Sequence, residues 1–211
     1  MVERDLVARG LRDPRVLDAM RSVPREAFVP EAVRGAAHDD RPLPIGGGQT
    51  ISQPYIVALM CQSALLEGDE HVLEIGSGSG YSAAVLARLA AWVETVERRP
   101  ELATRATAQL ADLGVNNVVV HEGDGTLGWP ASAPYDAIIV TAGGPDIPNA
   151  LLQQLKSGGR LVMPVGSNRG WQELVRIIRR GDGADEGDFQ RETLCEVAFV
   201  PLIGAQGWPE G

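Results

Sequence analysis

The residues whose types and spacing best suit chemistry are three alternate glycines, Gly76, Gly78 and Gly80, within Val72-Leu-Glu-Ile-Gly-Ser-Gly-Ser-Gly-Tyr81. A buried strand that runs through such a loop into a helix must bend tightly, and a ligand reaches main-chain amides only where no Cβ stands in the way. The chemistry implied is the grip on a nucleotide-like cofactor; a Gly-rich structural turn is the alternative. Spacing narrows the choice. The dinucleotide fingerprint G-x-G-x-x-G/A fits Gly76 and Gly78, but its last position falls on Tyr81, whose ring would obstruct close helix–strand packing. A nicotinamide dehydrogenase is therefore the weakest reading.

Carboxylates follow at suggestive places. Glu97 lies near the end of Glu94-Thr-Val-Glu-Arg98, roughly 20 residues beyond the loop, where a carboxylate at the end of the second strand can accept from both ribose hydroxyls. A solvent-facing strand end is the plain alternative, and coupling to the loop favours binding. In His121-Glu-Gly-Asp-Gly125, Asp124 could accept from an adenine amino group, although Asp-Gly is also a common turn. Asp136 is as readily structural as functional. Ser52, two residues before Pro54, suits a helix N-cap as well as a site.

These groups must be positioned by a core. The chain has 211 residues, 44% of them hydrophobic, enough to bury one without disulfides or metal. A formal charge of −9 argues against a nucleic-acid groove, because phosphate binding draws on clustered Lys and Arg. Cys61 and Cys195 lie far apart, and His38, His71 and His121 lack ligand spacing, so neither a disulfide framework nor a metal site is expected. No apolar run approaches the ~18 residues of a membrane span, and the charged start Met1–Gly10 has no secretory h-region. The expectation is a cytoplasmic monomer without nucleic-acid or membrane partners.

From about Glu70 onward, β-branched runs alternate with helical stretches, the mark of a parallel sheet. Strands are predicted at His71–Ile75, Trp92–Val96, Val118–His121, Ala137–Thr141 and Arg160–Pro164, with helices at Ser82–Ala90, Glu101–Leu113 and Asn149–Leu155. Pro100 should open a helix, Gly114 should cap it, and Gly158-Gly159 should divide a helix from a strand. Glu173–Arg180 and Glu192–Val200 read as an antiparallel hairpin around the polar loop Gly181–Asp188. Earlier, Asp13–Met20 and Pro54–Leu66 read as helices joined by Pro- and Gly-rich chain. The fold expected is α/β, a doubly wound, mostly parallel, Rossmann-like sheet with an N-terminal helical elaboration and a C-terminal antiparallel hairpin. We read one domain: an elaboration over 1–69, a cofactor-binding core over 70–170 and terminal strands over 171–211.

The alternating glycines, with Glu74 two residues before the first, resemble the first motif of class I methyltransferases, E/D-x-G-x-G-x-G. That resemblance implies S-adenosyl-L-methionine as cofactor. More of the chain narrows it. Arg41-Pro-Leu-Pro-Ile-Gly-Gly-Gly-Gln-Thr-Ile-Ser-Gln-Pro-Tyr-Ile-Val-Ala-Leu-Met60 and Val23-Pro-Arg-Glu-Ala-Phe-Val-Pro30 resemble the protein-L-isoaspartate O-methyltransferase family nearly residue for residue. So do Gly123–Gly125, Ala137–Ala142, Gly159–Gly166 and Phe199-Val-Pro-Leu202.

The resemblance spans about residue 10 to 204 and implies methylation of the free α-carboxylate of L-isoaspartyl residues in damaged proteins, leading through a succinimide back to aspartate. It also implies that the last strands are exchanged relative to other methyltransferases. Cofactor contacts would come from Thr50, Ile51, Ser52, Glu74, Gly76, Ser77, Gly78, Gly80, Glu97, Arg98, Asp124 and Gly125. Substrate contacts would come from Pro44, Ile45, Gly46, Phe199, Val200, Pro201 and Leu202, and Ser52 would be the catalytic residue. Two positions depart from the family: His38 stands where an aromatic residue is frequent, and Ala198 where a cation is.

The acceptor explains why no catalytic His/Asp pair is needed. A carboxylate with a reference pKa near ~4 is already ionised at neutral pH. The site must align oxygen, methyl carbon and sulfonium sulfur, which in favourable systems supplies roughly 7–11 kcal/mol. Because anion and sulfonium neutralise each other during transfer, a neutral hydroxyl such as Ser52 suits the orienting role. Two alternatives keep the same motifs: methylation of an ordinary aspartate in a dedicated peptide, and a non-catalytic cofactor-binding adaptor.

Overall fold

The computed structural model describes residues 1–181 and 188–210. Its centre is a seven-stranded sheet, β3 (His71–Ile75), β4 (Trp92–Glu97), β5 (Val118–Glu122), β6 (Tyr135–Val140), β7 (Leu155–Val165), β8 (Gln172–Arg179) and β9 (Phe189–Val197), in the order β5-β4-β3-β6-β7-β8-β9. The first five in sequence run parallel, whereas β8 and β9 pair antiparallel at one edge. Ahead of the sheet lie α1 (Pro14–Ser22), the small hairpin β1 (Leu43–Gly46) and β2 (Gln49–Ile51), and α2 (Pro54–Ser63). Helices α3 (Tyr81–Leu86), α4 (Pro100–Asp112) and α5 (Asn149–Gln153) connect the parallel strands. The alternating β/α reading and the terminal hairpin therefore hold. Of the polar loop expected at Gly181–Asp188, residues 182–187 lie outside the described residues.

Covering both faces of a parallel sheet makes its central strands apolar throughout. Successive residues then serve opposite sides, because strand side chains alternate. Val72, Ile139 and Val162 join the core shared with α1, α2 and α3, while Leu73, Ile138 and Met163 join a second core with Leu151 and Leu155. Asp13 caps α1, its side chain accepting from the Arg15 and Val16 N–H groups, and Pro14, Pro54 and Pro100 each occupy a first helical turn where a missing N–H costs nothing. Among the described residues no helix is long and apolar enough to cross a membrane.

Four local expectations need correction. The helix expected to reach Ala90 ends at Leu86, where Arg88 and Leu89 N–H groups turn back to Val85 and Leu86 carbonyls and tighten the chain. The Gly158-Gly159 pair does not divide helix from strand: β7 starts at Leu155, and its pairing with β6 jumps from Tyr135↔Leu155 to Ala137↔Arg160. The glycines form that bulge, since Gly158 has φ +78° and a Cβ on Gly159 would lie 2.8 Å from the Lys156 carbonyl. The hairpin β1–β2, turned by Gly46–Gly48 at positive φ, replaces the irregular chain expected there.

The fourth correction shapes the site. The last strand ends at Val197 instead of Val200. Past it, the Phe199 N–H donates to Gln172 Oε1 (2.8 Å), then Gly143 donates to the Val200 carbonyl and Leu202 to the Gly143 carbonyl, each at 2.8 Å. Phe199–Leu202 thus leaves the sheet edge and runs beside the chain that follows β6.

Candidate active site

The glycine loop sits at the carboxyl end of β3, the position where open α/β sheets bind ligands. Gly76, Gly78 and Gly80 have φ of +96°, +53° and +87°, left-handed values that disfavour side chains. Their surroundings differ. A Cβ on Gly76 would lie 2.5 Å from Thr141 Oγ1, and one on Gly78 would lie 3.3 Å from Ile45 Cδ1. A Cβ on Gly80 would lie 3.3 Å from Ala106 on α4, so the glycine lets α3 and α4 approach. Tyr81 is buried, its hydroxyl directed to Met20 Sδ at 3.6 Å and its ring edge-on to Phe28.

Glu97, at the end of β4, accepts from the Gly78 N–H through Oε2 (2.9 Å) and from the Arg99 N–H through Oε1 (3.0 Å). This carboxylate therefore ties the loop to the neighbouring strand. Gly76, Gly78, Glu97, Arg98, Gly125 and Thr50 line one cavity, closed on another side by Val200–Ile203. A second cavity beside it is lined by Ser52, Gln53, Tyr55, Phe199 and Arg9. Thr50, Thr141 and Val200 line both. A donor held in the first chamber and an acceptor held in the second would meet across these three residues.

Ser52 is half-buried, and its hydroxyl has no hydrogen-bond partner among the described residues. It is not a helix cap: the N-cap of α2 is Gln53, without a side-chain capping bond. Arg25 fixes the main chain here, donating from Nη2 to the Ser52 carbonyl and from Nε to the Ala37 carbonyl, both at 2.8 Å.

Several sequence-derived contacts fall elsewhere. Glu74 is fully buried beneath the loop, its Oε2 accepting from Thr95 Oγ1 (2.6 Å), which also meets Ser77 Oγ (2.8 Å). Glu74 and Ser77 thus brace the loop from below. Burial pushes the Glu74 carboxyl up to about 7, against the opposing hydrogen bonds from Thr95 and Ser82. Asp124 Oδ1 accepts from the Thr126 N–H and hydroxyl, and Oδ2 from the Ala205 N–H. Asp124 also lines a recess that it shares with Arg98 and Ile203, both of which border the loop cavity, and neighbouring Gly125 lines that cavity itself. Ile51 is buried and lines neither chamber, and neither do Pro44, Ile45 and Gly46. Instead Ile45 packs onto Gly78, and its carbonyl accepts from Arg105 (2.9 Å). Of the last segment, Phe199 lines the acceptor chamber, Val200 both, and Pro201 and Leu202 the cofactor chamber alone.

Two residues were missed. Thr141 follows β6 and donates to the Ile75 or Gly76 carbonyl (2.9 and 2.7 Å) while lining both chambers; its place at a strand's carboxyl end was the available signal. Arg25 stood within the family-like segment Val23–Pro30 but drew no role, since an arginine among apolar neighbours ordinarily reads as surface.

The cradle fits a nucleoside carrying an amino-acid arm. Glycines without Cβ atoms floor it, and a carboxylate stands where the second strand ends. Sheet order, loop and carboxylate together define a class I methyltransferase. The sequence matches the protein-L-isoaspartate(D-aspartate) O-methyltransferase (PCMT) family over residues 1–207, and the chain belongs to it. It is accordingly an S-adenosylmethionine-dependent enzyme of that class. It is 60% identical over 210 residues to the protein-L-isoaspartate O-methyltransferase of Rhodopseudomonas palustris, covering 100% of this chain and 94% of that one. A Pelobacter propionicus relative of the same description is 58% identical, covering 99% and 91%. Among solved structures, a protein-L-isoaspartate O-methyltransferase superposes with TM-score 0.86 at 30% identity, over 98% of this chain and 67% of that one. A beta-aspartate methyltransferase of Plasmodium falciparum, in complex with S-adenosyl-L-homocysteine, shares the fold with TM-score 0.80 at 23% identity over 96% of each chain.

Proposed function

We propose that the two chambers carry out methyl transfer from S-adenosylmethionine to the free α-carboxylate of L-isoaspartyl residues in damaged proteins and peptides. The observation that carries this assignment is the shared wall at Thr50, Thr141 and Val200. Gly76 and Gly78 present main chain to the amino-acid arm of the cofactor, Glu97 accepts from its ribose, and Arg98 and Gly125 border the far end. When bound, the cofactor supplies an electrophilic methyl group on a positively charged sulfur. Everything else falls to the chain. Ser52, whose hydroxyl has no partner among the described residues, donates to one oxygen of the acceptor carboxylate and turns the other toward the shared wall. A neutral donor orients the anion without trapping it in an ion pair, and no proton has to be removed. Val200 and Phe199 exclude water from the junction.

A repair enzyme must accept many flanking sequences. Segment Phe199–Leu202 suits this by holding its partners through main-chain bonds. Labelled cofactor offered with paired peptides, one isoaspartyl and one normal aspartyl, tests the assignment: label should enter the first alone. Equal labelling would move the protein to ordinary aspartate methylation, and no labelling to a binding role. We also propose that the enzyme acts as a cytoplasmic monomer, which sedimentation and cell fractionation check.

A further inference from the structure

Building on that assignment, we infer that Arg9 is a specificity-determining residue whose guanidinium recognises the acceptor's free α-carboxylate as it enters the chamber beside Ser52. Arg9 is the one cationic side chain among the described residues lining this chamber, and nearby Ala198 brings no charge. It is also held in place. The guanidinium carbon sits 3.4 Å from the centroid of the Tyr55 ring, and Nη1 donates to Asp40 Oδ2 at 2.8 Å. The same aspartate accepts from Gln53 Nε2 (2.7 Å) and from the Tyr55 N–H (2.9 Å). An arginine from the first turns of the chain is thereby docked onto the segment that directly follows Ser52.

A long side chain free in water would sample many rotamers, and fixing one costs conformational entropy. Stacking and the Asp40 bond meet that cost before substrate arrives. A guanidinium offers five N–H donors in a planar fork. Among the described residues Asp40 is its one hydrogen-bond partner, so donors remain for a second carboxylate. Asp40 cancels most of the guanidinium's long-range field, and Glu196 also lines the chamber. Recognition therefore rests on the directional N–H donors that Asp40 leaves free, which orient a carboxylate without holding it so tightly that its oxygen loses nucleophilicity, a balance that a lone cation would upset.

The test uses the whole enzyme loaded with S-adenosylhomocysteine and two peptides that differ only in an α-carboxylate or α-carboxamide at the isoaspartyl position. Calorimetry should show the wild type preferring the carboxylate by about tenfold at low salt, a preference that shrinks as ions screen it. Arg9→Gln, which keeps length and polarity, should erase the preference, and Arg9→Lys should restore part of it. In turnover, Arg9→Gln should raise KM about tenfold with kcat changed by no more than about twofold. An unchanged carboxylate preference in Arg9→Gln, or a fall in kcat with KM intact, would overturn the role and leave Arg9 as a brace for Tyr55. Failure of the wild type to methylate any isoaspartyl peptide would instead overturn the assignment on which this role stands.

Discussion

The guanidinium of Arg25, without solvent exposure, donates to the carbonyl of Ser52 at 2.8 Å while lying 4.8 Å from the centroid of the Tyr81 ring. One side chain thus joins the acceptor loop to the first residue of α3, directly after the glycine turn. Burial lowers the pKa of this arginine, with Tyr81 and Asp40 opposing. Arg25→Ala should destabilise the protein by about 3 kcal/mol, because two carbonyls lose charged donors in the interior. Chemical unfolding reads this directly. Arg25→Lys should recover less than half, since one ammonium cannot reproduce the planar fork.

Donor and acceptor functions should separate by mutation. Glu97→Ala should weaken S-adenosylhomocysteine binding about 10- to 100-fold, the worth of hydrogen bonds to a charged group. Ser52→Ala should leave that affinity within about twofold and lower kcat by roughly 10- to 100-fold. Calorimetry and steady-state kinetics on both variants check the split, and unchanged affinity in Glu97→Ala would remove that residue from the cofactor chamber.

Glu74 should impose a pH dependence on stability. Its carboxyl is raised from 4.5 to about 7 by burial. Between those values the folded protein holds the proton that the unfolded chain has released, so its contribution is fully present below about 4.5 and is lost as pH rises through about 7. The loss is on the order of 3 kcal/mol. Glu74→Gln should flatten this slope and exceed the wild type in stability at about pH 8, as urea unfolding across the range would show.

Gly76 tests the cradle. Gly76→Ala meets two obstacles, a backbone at φ +96° and a contact of 2.5 Å with Thr141 Oγ1. We expect a loss of about 2–4 kcal/mol in stability and at least about tenfold in cofactor affinity. Adding Thr141→Ala should relieve the contact but not the backbone strain, so thermal unfolding of the double variant should recover only part of the loss.

Local patterning alone was enough to reveal the βα alternation, the glycine turn and the carboxylate that answers it. These depend on neighbours a few residues apart: strand periodicity, positive φ and helix caps act within one turn of chain. The motifs also carried the family and its cofactor. What they could not show was direction. Asp124 gave no sign that Ala205, brought alongside by folding, would donate to its second oxygen. Where Pro44–Gly46 faces was hidden too: the β1–β2 hairpin turns Ile45 onto Gly78. Phe199–Leu202 read as a strand end, yet its hydrogen bonds to Gln172 and Gly143 bend it across both chambers. Each outcome rests on groups more than 25 residues apart competing for the same hydrogen bond or the same space, and that competition is resolved only when the sheet assembles.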